Sequence, residues 1–220
     1  MEKFELLKIL TERQFLRREK ILSTARDLIT MKGYKGVTMR ELAKKSNVTP
    51  KTLYDQFGSK EKLMLVALKA RFRQAYEAIA SKKVKHGFEK LFFVIDAVME
   101  NSLRNSNFAR GIIALKGWNH AELIEIRKAT YLQALALIRD EGDFLDWVDI
   151  EIVSESLLRM IGDLNLSYFS SDSNWTEIDF KNQQSTLKLH SSIILSAYTR
   201  GETKLKAIAF IKACAKNSSN

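Results

Sequence analysis

The chain has 220 residues, 45% of them hydrophobic and 28% charged, with nine glycines and a single proline. So few turn-forming residues argue against a β-rich fold, and the many good helix formers favour an all-α chain. A lone cysteine, Cys214, excludes an intramolecular disulfide, and no uncharged apolar stretch approaches the roughly 18 residues of a membrane span. We therefore expect a soluble cytoplasmic protein.

The net charge of +10 is confined to the first third of the chain. Residues 1–73 contain 18 Lys and Arg against 8 Asp and Glu, whereas residues 74–220 contain 18 of each kind. This asymmetry predicts that 1–73 form a domain that meets an anionic partner, and that 74–220 form a separate regulatory domain. A merely solvated, lysine-rich surface is the simpler alternative.

The first two predicted helices are defined by an apolar stripe and by a cap. Residues 18–32 place apolar side chains at helical spacing and end at Gly33, a good helix terminator. The residues ahead of them form either an extra helix or an arm. Thr38 is a typical N-cap, and Glu41 three residues later completes a capping box for a short helix over 39–45.

The next two predicted helices follow at once. Thr49 caps a third helix that has Pro50 at its first position, where a missing N–H costs nothing, and Gly58 ends it. Ser59 is an N-cap for a long fourth helix that continues past Tyr76.

Beyond about residue 82, polar breaks separate longer apolar segments. We predict helices over 86–103, 107–117, 120–140, 149–170, 183–200 and 202–215. The expected fold is thus all-α: a three-helix N-terminal domain joined through the fourth helix to a larger helical domain.

Residues 38–57 have the pattern of a helix-turn-helix, two short helices joined by three residues. Ala43 lies where the two helices must cross closely, and Asn47 lies where the turn needs a positive φ. If Leu53 and Phe57 face inward, the polar residues of the third helix face outward.

Those outward residues suit the major groove of DNA, where a recognition helix presents its N-terminal side chains to base edges. Gln56 can read adenine, Lys51 can reach guanine, and Thr52 can touch a thymine methyl group. Thr38 and Lys60, at the starts of the second and fourth helices, are placed to contact phosphates.

The stretch VTMRELAKKSNVTPKTLYDQFGSKEKL resembles the DNA-binding signature of the TetR family of bacterial transcriptional repressors, and the likeness extends over roughly residues 18–66. The chain departs from the family pattern at Asn47, where glycine is usual, and at Asp55, which could select a cytosine amine. The resemblance implies a DNA-binding set of Thr38, Arg40, Lys51, Thr52, Tyr54, Gln56 and Lys60, to which we add the cap residue Thr49. It further implies a nucleoid-associated homodimer on a palindromic operator, released by a small molecule.

The second domain is expected to dimerise the chain and to hold that effector. Apolar stripes in the predicted helices 149–170 and 183–200 predict a dimer interface formed by Leu157, Ile161, Leu164, Leu187, Ile194, Leu195 and Tyr198. Bulky residues on the middle helices predict a mainly apolar cavity for a hydrophobic or amphipathic effector, lined by Phe92, Ile95, Met99, Trp118 and Tyr131. We take Asp96, within the same run, as a surface residue.

Signatures of other classes are missing from the sequence. It has no nucleotide-binding glycine loop, zinc-protease motif or nucleophile elbow, and its three histidines lack ligand spacing. We therefore expect no enzyme, no metal site and no cofactor. Two alternatives stay open: a DNA-bound adaptor whose helical domain docks another protein, and an enzyme or membrane-surface protein carrying a basic domain.

Overall fold

The computed structural model describes residues 12–115, 121–170 and 176–217, the side chains of 163–170, 177 and 217 excepted. These residues form helices and no strand, which confirms the all-α prediction. The helices are α1 (Glu12–Gly36), α2 (Met39–Ser46), α3 (Pro50–Phe57), α4 (Lys60–Ser81), α5 (Gly87–Arg104), α6 (Ser106–Ala114), α7 (Ala121–Asp140), α8 (Ile150–Ser170), α9 (Glu177–Tyr198) and α10 (Gly201–Asn217).

The predicted start of α2 is confirmed, but only half of its capping box is present. The backbone N–H of Glu41 donates to Thr38 Oγ1 at 3.2 Å. The Glu41 carboxylate instead pairs with the Lys32 ammonium at 2.7 Å. Because Lys32 is the last residue before the break at Gly33 (φ 70°), this ion pair links the ends of two successive helices.

The caps of α3 and α4 are those predicted. Thr49 accepts the N–H of Thr52 at 3.1 Å, and Ser59 accepts the N–H of Lys62 at 3.2 Å. Both caps satisfy backbone donors that the first turn of a helix leaves unpaired.

Two predicted helix starts are six residues too late: α1 begins at Glu12 and not at residue 18, and α9 begins at Glu177 and not near residue 183. Thr176 accepts the N–H of Asp179, and the Asp179 carboxylate accepts the N–H of Thr176. The prediction missed this reciprocal cap of α9 because most residues that follow it are polar, and the two apolar ones, Ile178 and Phe180, are two residues apart and do not form a helical stripe.

The helix-turn-helix part, α1 to α4, packs directly on the helices that follow it. Helix α1 contacts α4 and α6, and α4 also contacts α7. Asn107, at the start of α6, donates its side-chain N–H to the Thr30 carbonyl at 3.0 Å. Gly111 of α6 faces Leu68 and Ile29, whose nearest atoms lie 3.4 and 3.6 Å from where a Cβ atom would stand, which is ordinary van der Waals contact. The contact couples the two parts through packed side chains.

Two polar features connect the helices from α5 to α10. The Asp96 side chain is 33% exposed, in line with the surface assignment, and it pairs with Lys188 on α9 at 2.6 Å and accepts a hydrogen bond from Gln184 at 2.5 Å. In the acidic loop before α8, Asp143 accepts the N–H of Thr203 at 2.7 Å and fixes the start of α10. None of the described helices is long and apolar enough to cross a membrane.

Candidate nucleic-acid interface

The turn between α2 and α3 has the predicted conformation. Asn47 adopts φ 56° and ψ 49°, in the left-handed region, and it is the non-glycine residue with a positive φ in the described chain. The N–H groups of Asn47 and Val48 donate to the carbonyls of Lys44 and Ala43 at 3.3 and 3.0 Å, which satisfies the end of α2. Ala43 is 1% exposed at the crossing, as expected of a position with no room for a larger side chain.

Helix α3 is anchored from beneath and projects a polar edge. Leu53 is fully buried, and Phe57 is nearly so. Lys51, Tyr54 and Asp55 are exposed, Tyr54 by 49% of its surface. Since the edge carries a cation, a phenol and a carboxylate, it can donate to and accept from base edges or phosphates.

Two predicted members of that edge are turned partly inward. Gln56 is half-buried, and its Oε1 atom is fully buried without a hydrogen-bond partner among the described residues. The expectation that Gln56 faces outward was therefore wrong, because it lies three residues after Leu53 and beside Phe57 on the inner flank of the helix. Thr52 is also half-buried, and its Oγ1 lies 2.9 Å from Thr49 Oγ1.

Polar groups at the starts of neighbouring helices surround the edge. Thr38 and Thr49 are exposed cap residues of α2 and α3, and Arg40 is exposed in the first turn of α2. Helix N-termini carry partial positive charge and unpaired N–H groups, so they suit phosphate oxygens. Further exposed basic side chains on this stretch are Lys35, Lys44, Lys45 and Lys62.

Tyr34 is a positioning residue that the sequence reasoning missed. The Lys60 ammonium lies 4.7 Å from the centre of the Tyr34 ring, and the Tyr34 hydroxyl donates to Glu61 Oε1 at 3.3 Å. Burial, together with the Glu61 carboxylate, raises the pKa of Tyr34, so the hydroxyl stays protonated. The ring thus restrains Lys60 at the start of α4; its signal in the sequence was an aromatic residue directly after Gly33.

The start of α1 also lies against α3. The Arg18 guanidinium stacks 4.5 Å from the centre of the Phe57 ring. A cation over an aromatic face is attracted by the ring's quadrupole. This contact places the first turns of α1 beside the end of α3.

The predicted effector-site residues are divided between two places. Ile95, Met99 and Tyr131 are buried in the core. Phe92 lies on the side of α5 that faces α9 and α10, its ring 4.9 Å from that of Phe210. Trp118 lies outside the described residues.

Tyr131 belongs to a buried polar group that the sequence did not reveal. Tyr76 on α4 and Arg127 on α7 are at most 5% exposed and lie close enough to Tyr131 to affect its titration. Burial raises the pKa of Tyr76 to about 12 and lowers the pKa of Arg127. Two phenols and a guanidinium thus lie between α4 and α7, inside an otherwise apolar core.

Most of the predicted dimer residues lie inside the subunit. Leu157, Leu187 and Leu195 are fully buried, and Ile161 is 3% exposed. They form part of the subunit's own core, since α8 and α9 pack on α7, α5 and α10. Ile194 and Tyr198 are half-buried, and the Leu164 side chain lies outside the described residues.

Other apolar side chains on the same two helices are exposed to solvent. They are Ile152 on α8 and Ile178 and Ile193 on α9, with 64%, 69% and 48% exposure. In the described part of the chain, no group of three or more His, Cys, Asp or Glu side chains is arranged to hold a metal ion.

Comparison with known proteins agrees with this geometry. Residues 21–67 match the family model of bacterial regulatory proteins of the tetR family. No curated protein matches the chain in sequence. The fold is similar to that of RolR in complex with resorcinol, with a TM-score of 0.69 and 16% identity over 90% of this chain and 94% of that one.

Two further solved structures share the fold. A tetR-family transcriptional regulator from Streptomyces coelicolor has a TM-score of 0.63 and 16% identity over 90% of this chain and 89% of that chain. FadR from Bacillus subtilis, in complex with stearoyl-CoA, has a TM-score of 0.60 and 17% identity over 81% and 97%. Residues 21–67 therefore have the helix-turn-helix signature of the tetR family, and the chain has a fold similar to that of solved TetR-family regulators.

Proposed function

We propose that the protein is a repressor that binds a palindromic operator in the cytoplasm as a homodimer and is released by a small amphipathic effector. The observation that carries the proposal is the exposed edge of α3, with Lys51 and Tyr54, in the part of the chain that holds the whole net charge. Lys51 and Tyr54 contact the major groove and its flanking phosphates, and Thr38 and Lys60 contact the backbone on either side.

We infer a homodimer because one recognition helix contacts only a few base pairs. One α3 reaches too few base pairs for useful specificity, whereas two copies related by a two-fold axis read a palindrome. The exposed Ile152, Ile178 and Ile193 on α8 and α9 support an interface on these helices, because apolar side chains of that size gain from being covered. The interface uses these residues in place of the buried leucines first expected.

The effector is amphipathic because the interior between α4 and α7 is apolar with a polar centre. Tyr76, Arg127 and Tyr131 supply hydrogen-bond donors there, and Ile95 and Met99 are buried in the same core. Two structures of the same fold hold small molecules, resorcinol in RolR and stearoyl-CoA in FadR. These complexes favour a small ligand over the protein-docking alternative.

Helix α4 connects the effector site to the DNA contacts. It begins at Lys60, contains Tyr76, and is tied to α7 by Glu122, which pairs with Lys69 at 3.2 Å and with Arg73. A ligand that shifts α7 against α4 therefore moves the start of α4. A tenfold loss of operator affinity needs a coupling free energy of about 1.4 kcal/mol.

The DNA-binding claim is tested by fluorescence anisotropy on operator DNA selected from the host genome, with random DNA of equal length alongside. Lys51→Ala should lose operator affinity by about 1–3 kcal/mol. The matched control is Lys212→Ala, an equally exposed lysine on α10. Equal losses for the two variants would contradict the proposal.

The effector claim is tested with the Tyr131→Phe variant, which removes one buried hydroxyl and keeps the ring. We expect ligand-free operator affinity to be unchanged and the ligand concentration for half-release to rise. The ligand is found by a thermal-shift screen of phenols and acyl compounds, and a screen that finds no stabilising compound would contradict the small-molecule mechanism.

A further inference from the structure

An open groove of about 490 Å³ lies at the C-terminal end of α4, a volume typical of small-molecule sites. Its walls come from the last turn of α4, the loop that follows, the first turn of α5 and α7. The apolar lining residues are Ala80, Val84, Ala136 and Leu137. The polar ones are Ser81, Lys82, Lys83, Lys90, Gln133 and Asp140.

The groove is separate from the interior site between α4 and α7. The core-facing residues of α7 in this stretch are Tyr131, Ala134, Leu135 and Ile138. The groove uses the neighbouring stripe, Gln133, Ala136, Leu137 and Asp140, at spacings of three, four and seven. A ligand in the groove therefore lies outside the core.

Lys90 places a desolvated positive charge in the groove lining. It is 3% exposed, and its ammonium donates to the carbonyls of Ile79, Ala80 and Lys82 at 3.4, 2.8 and 2.5 Å. These acceptors are neutral, and no carboxylate of the described residues lies within 4 Å of the ammonium. Burial lowers the pKa of Lys90, as expected for a cation without an anionic partner.

The rim of the groove adds charge of the same sign. Lys82 and Lys83 are exposed, and among the described residues Asp140 is the one acidic side chain that lines the groove. Residues 74–220 carry no net charge as a whole, so this is a local positive site in a neutral domain. Positive groups beside a low-dielectric wall attract anions.

We propose that the groove is a second ligand site, which binds an amphipathic anion. The alkyl part lies against Ala136 and Leu137, and the carboxylate or phosphate lies over Lys82 and Lys83, where it also offsets the charge of Lys90. The site does not depend on the operator or on the interior effector. It does lie at the end of α4 opposite Lys60, so an occupant can bias the same helix from its other end.

Isothermal titration calorimetry of the full chain tests the proposal with a series of ten-carbon probes. These are decanoate, decyl phosphate, decanol and decyltrimethylammonium, each below its micelle-forming concentration, with inorganic phosphate as the headgroup alone. We expect both anionic amphiphiles to bind, and decanol, the cation and inorganic phosphate to bind at least about tenfold more weakly. Equal binding of decanol would overturn the anion requirement.

Three variants locate the bound probe. Lys83→Glu should weaken the binding of decanoate by about tenfold or more, because the charge reversal replaces an attraction to the carboxylate by a repulsion. Ala136→Trp fills the groove without changing charge and should abolish binding. Lys85→Glu is the control, an exposed lysine of the same loop that does not line the groove, and should change affinity by less than about threefold.

The pattern of losses decides the matter. If Lys83→Glu and Ala136→Trp bind decanoate as tightly as wild type, the groove is not its binding site. The same conclusion follows if Lys85→Glu loses as much affinity for decanoate as they do. Loss only in Tyr131→Phe would place the probe in the interior and would also overturn the groove as the binding site. These outcomes leave the operator-binding proposal untouched, because no DNA is present.

Discussion

The conformation of Asn47 allows a quantitative test of the helix-turn-helix. Its φ of 56° and ψ of 49° are strained for residues with a Cβ atom, by roughly 1–2 kcal/mol, and most strained for β-branched ones. Glycine is free of this strain, but it lowers the stability of the fold by about 0.4–1 kcal/mol because it increases the conformational entropy of the unfolded chain. We therefore expect Asn47→Gly to be nearly neutral and Asn47→Val to lose about 2 kcal/mol.

Because the Asn47 side chain is exposed, the loss arises in the backbone and not in lost contacts. Thermal unfolding at fixed protein concentration should show Asn47→Val melting about 4–8 °C below Asn47→Gly. Lys45→Val is the control: an equally exposed position in the helix, where valine costs only about 0.5 kcal/mol. If Asn47→Val were as stable as Asn47→Gly, the left-handed turn and the placement of α3 that depends on it would be refuted.

Four further outcomes follow from named side chains. Lys60→Ala should weaken binding to operator and random DNA alike, and it should lower the slope of log affinity against log salt concentration by about 0.9, as the loss of one phosphate contact does. An unchanged slope would show that Lys60 does not contact the DNA backbone. Asp55→Ala should raise the affinity for random DNA and relax the base preference at one position of each half-site. The reason is that only cytosine and adenine present a hydrogen-bond donor to a carboxylate in the major groove. If the variant selects the same DNA sequence as wild type, Asp55 does not contact a base. Ile193→Glu should give monomers in sedimentation velocity while Lys212→Glu stays dimeric; a dimeric Ile193→Glu would move the interface off this face of α9. Tyr76, whose pKa is raised from 10 to about 12, contributes stability that is present below pH 10 and falls by about 1.4 kcal/mol per pH unit between pH 10 and 12. Burial also raises the pKa of Tyr131, so Tyr76→Phe should reduce the slope of urea-unfolding stability in that window by about 1.4 kcal/mol per unit without removing it. An unchanged slope would show that Tyr76 does not titrate there.

The DNA-binding part was predictable because local rules determine it. Caps at Thr38 and Thr49, a left-handed Asn47 and the buried Leu53 each depend on a few neighbouring residues, and the structure has all of them. The orientation of Gln56 was missed because helical spacing alone does not fix how wide the buried flank of α3 is.

The regulatory part was predictable only in outline. An apolar stripe says that one face of a helix is buried, but not whether a second copy or the same subunit buries it. Leu157, Leu187 and Leu195 are buried by their own subunit for this reason. Tyr76 and Arg127 are 51 residues apart in the sequence, and they come together only because α4 packs on α7. Neither helix has a sequence pattern that predicts this contact.

The central claim is that two copies of α3 read DNA, and selection from a random duplex library tests it most directly. Full-length protein should enrich a palindrome whose half-sites are centred about 10–10.5 base pairs apart, or a multiple of that. The Lys51→Ala variant should lose preference at the same position in both half-sites. Enrichment of no sequence, or of a non-palindromic sequence that Lys51→Ala selects unchanged, would contradict the account.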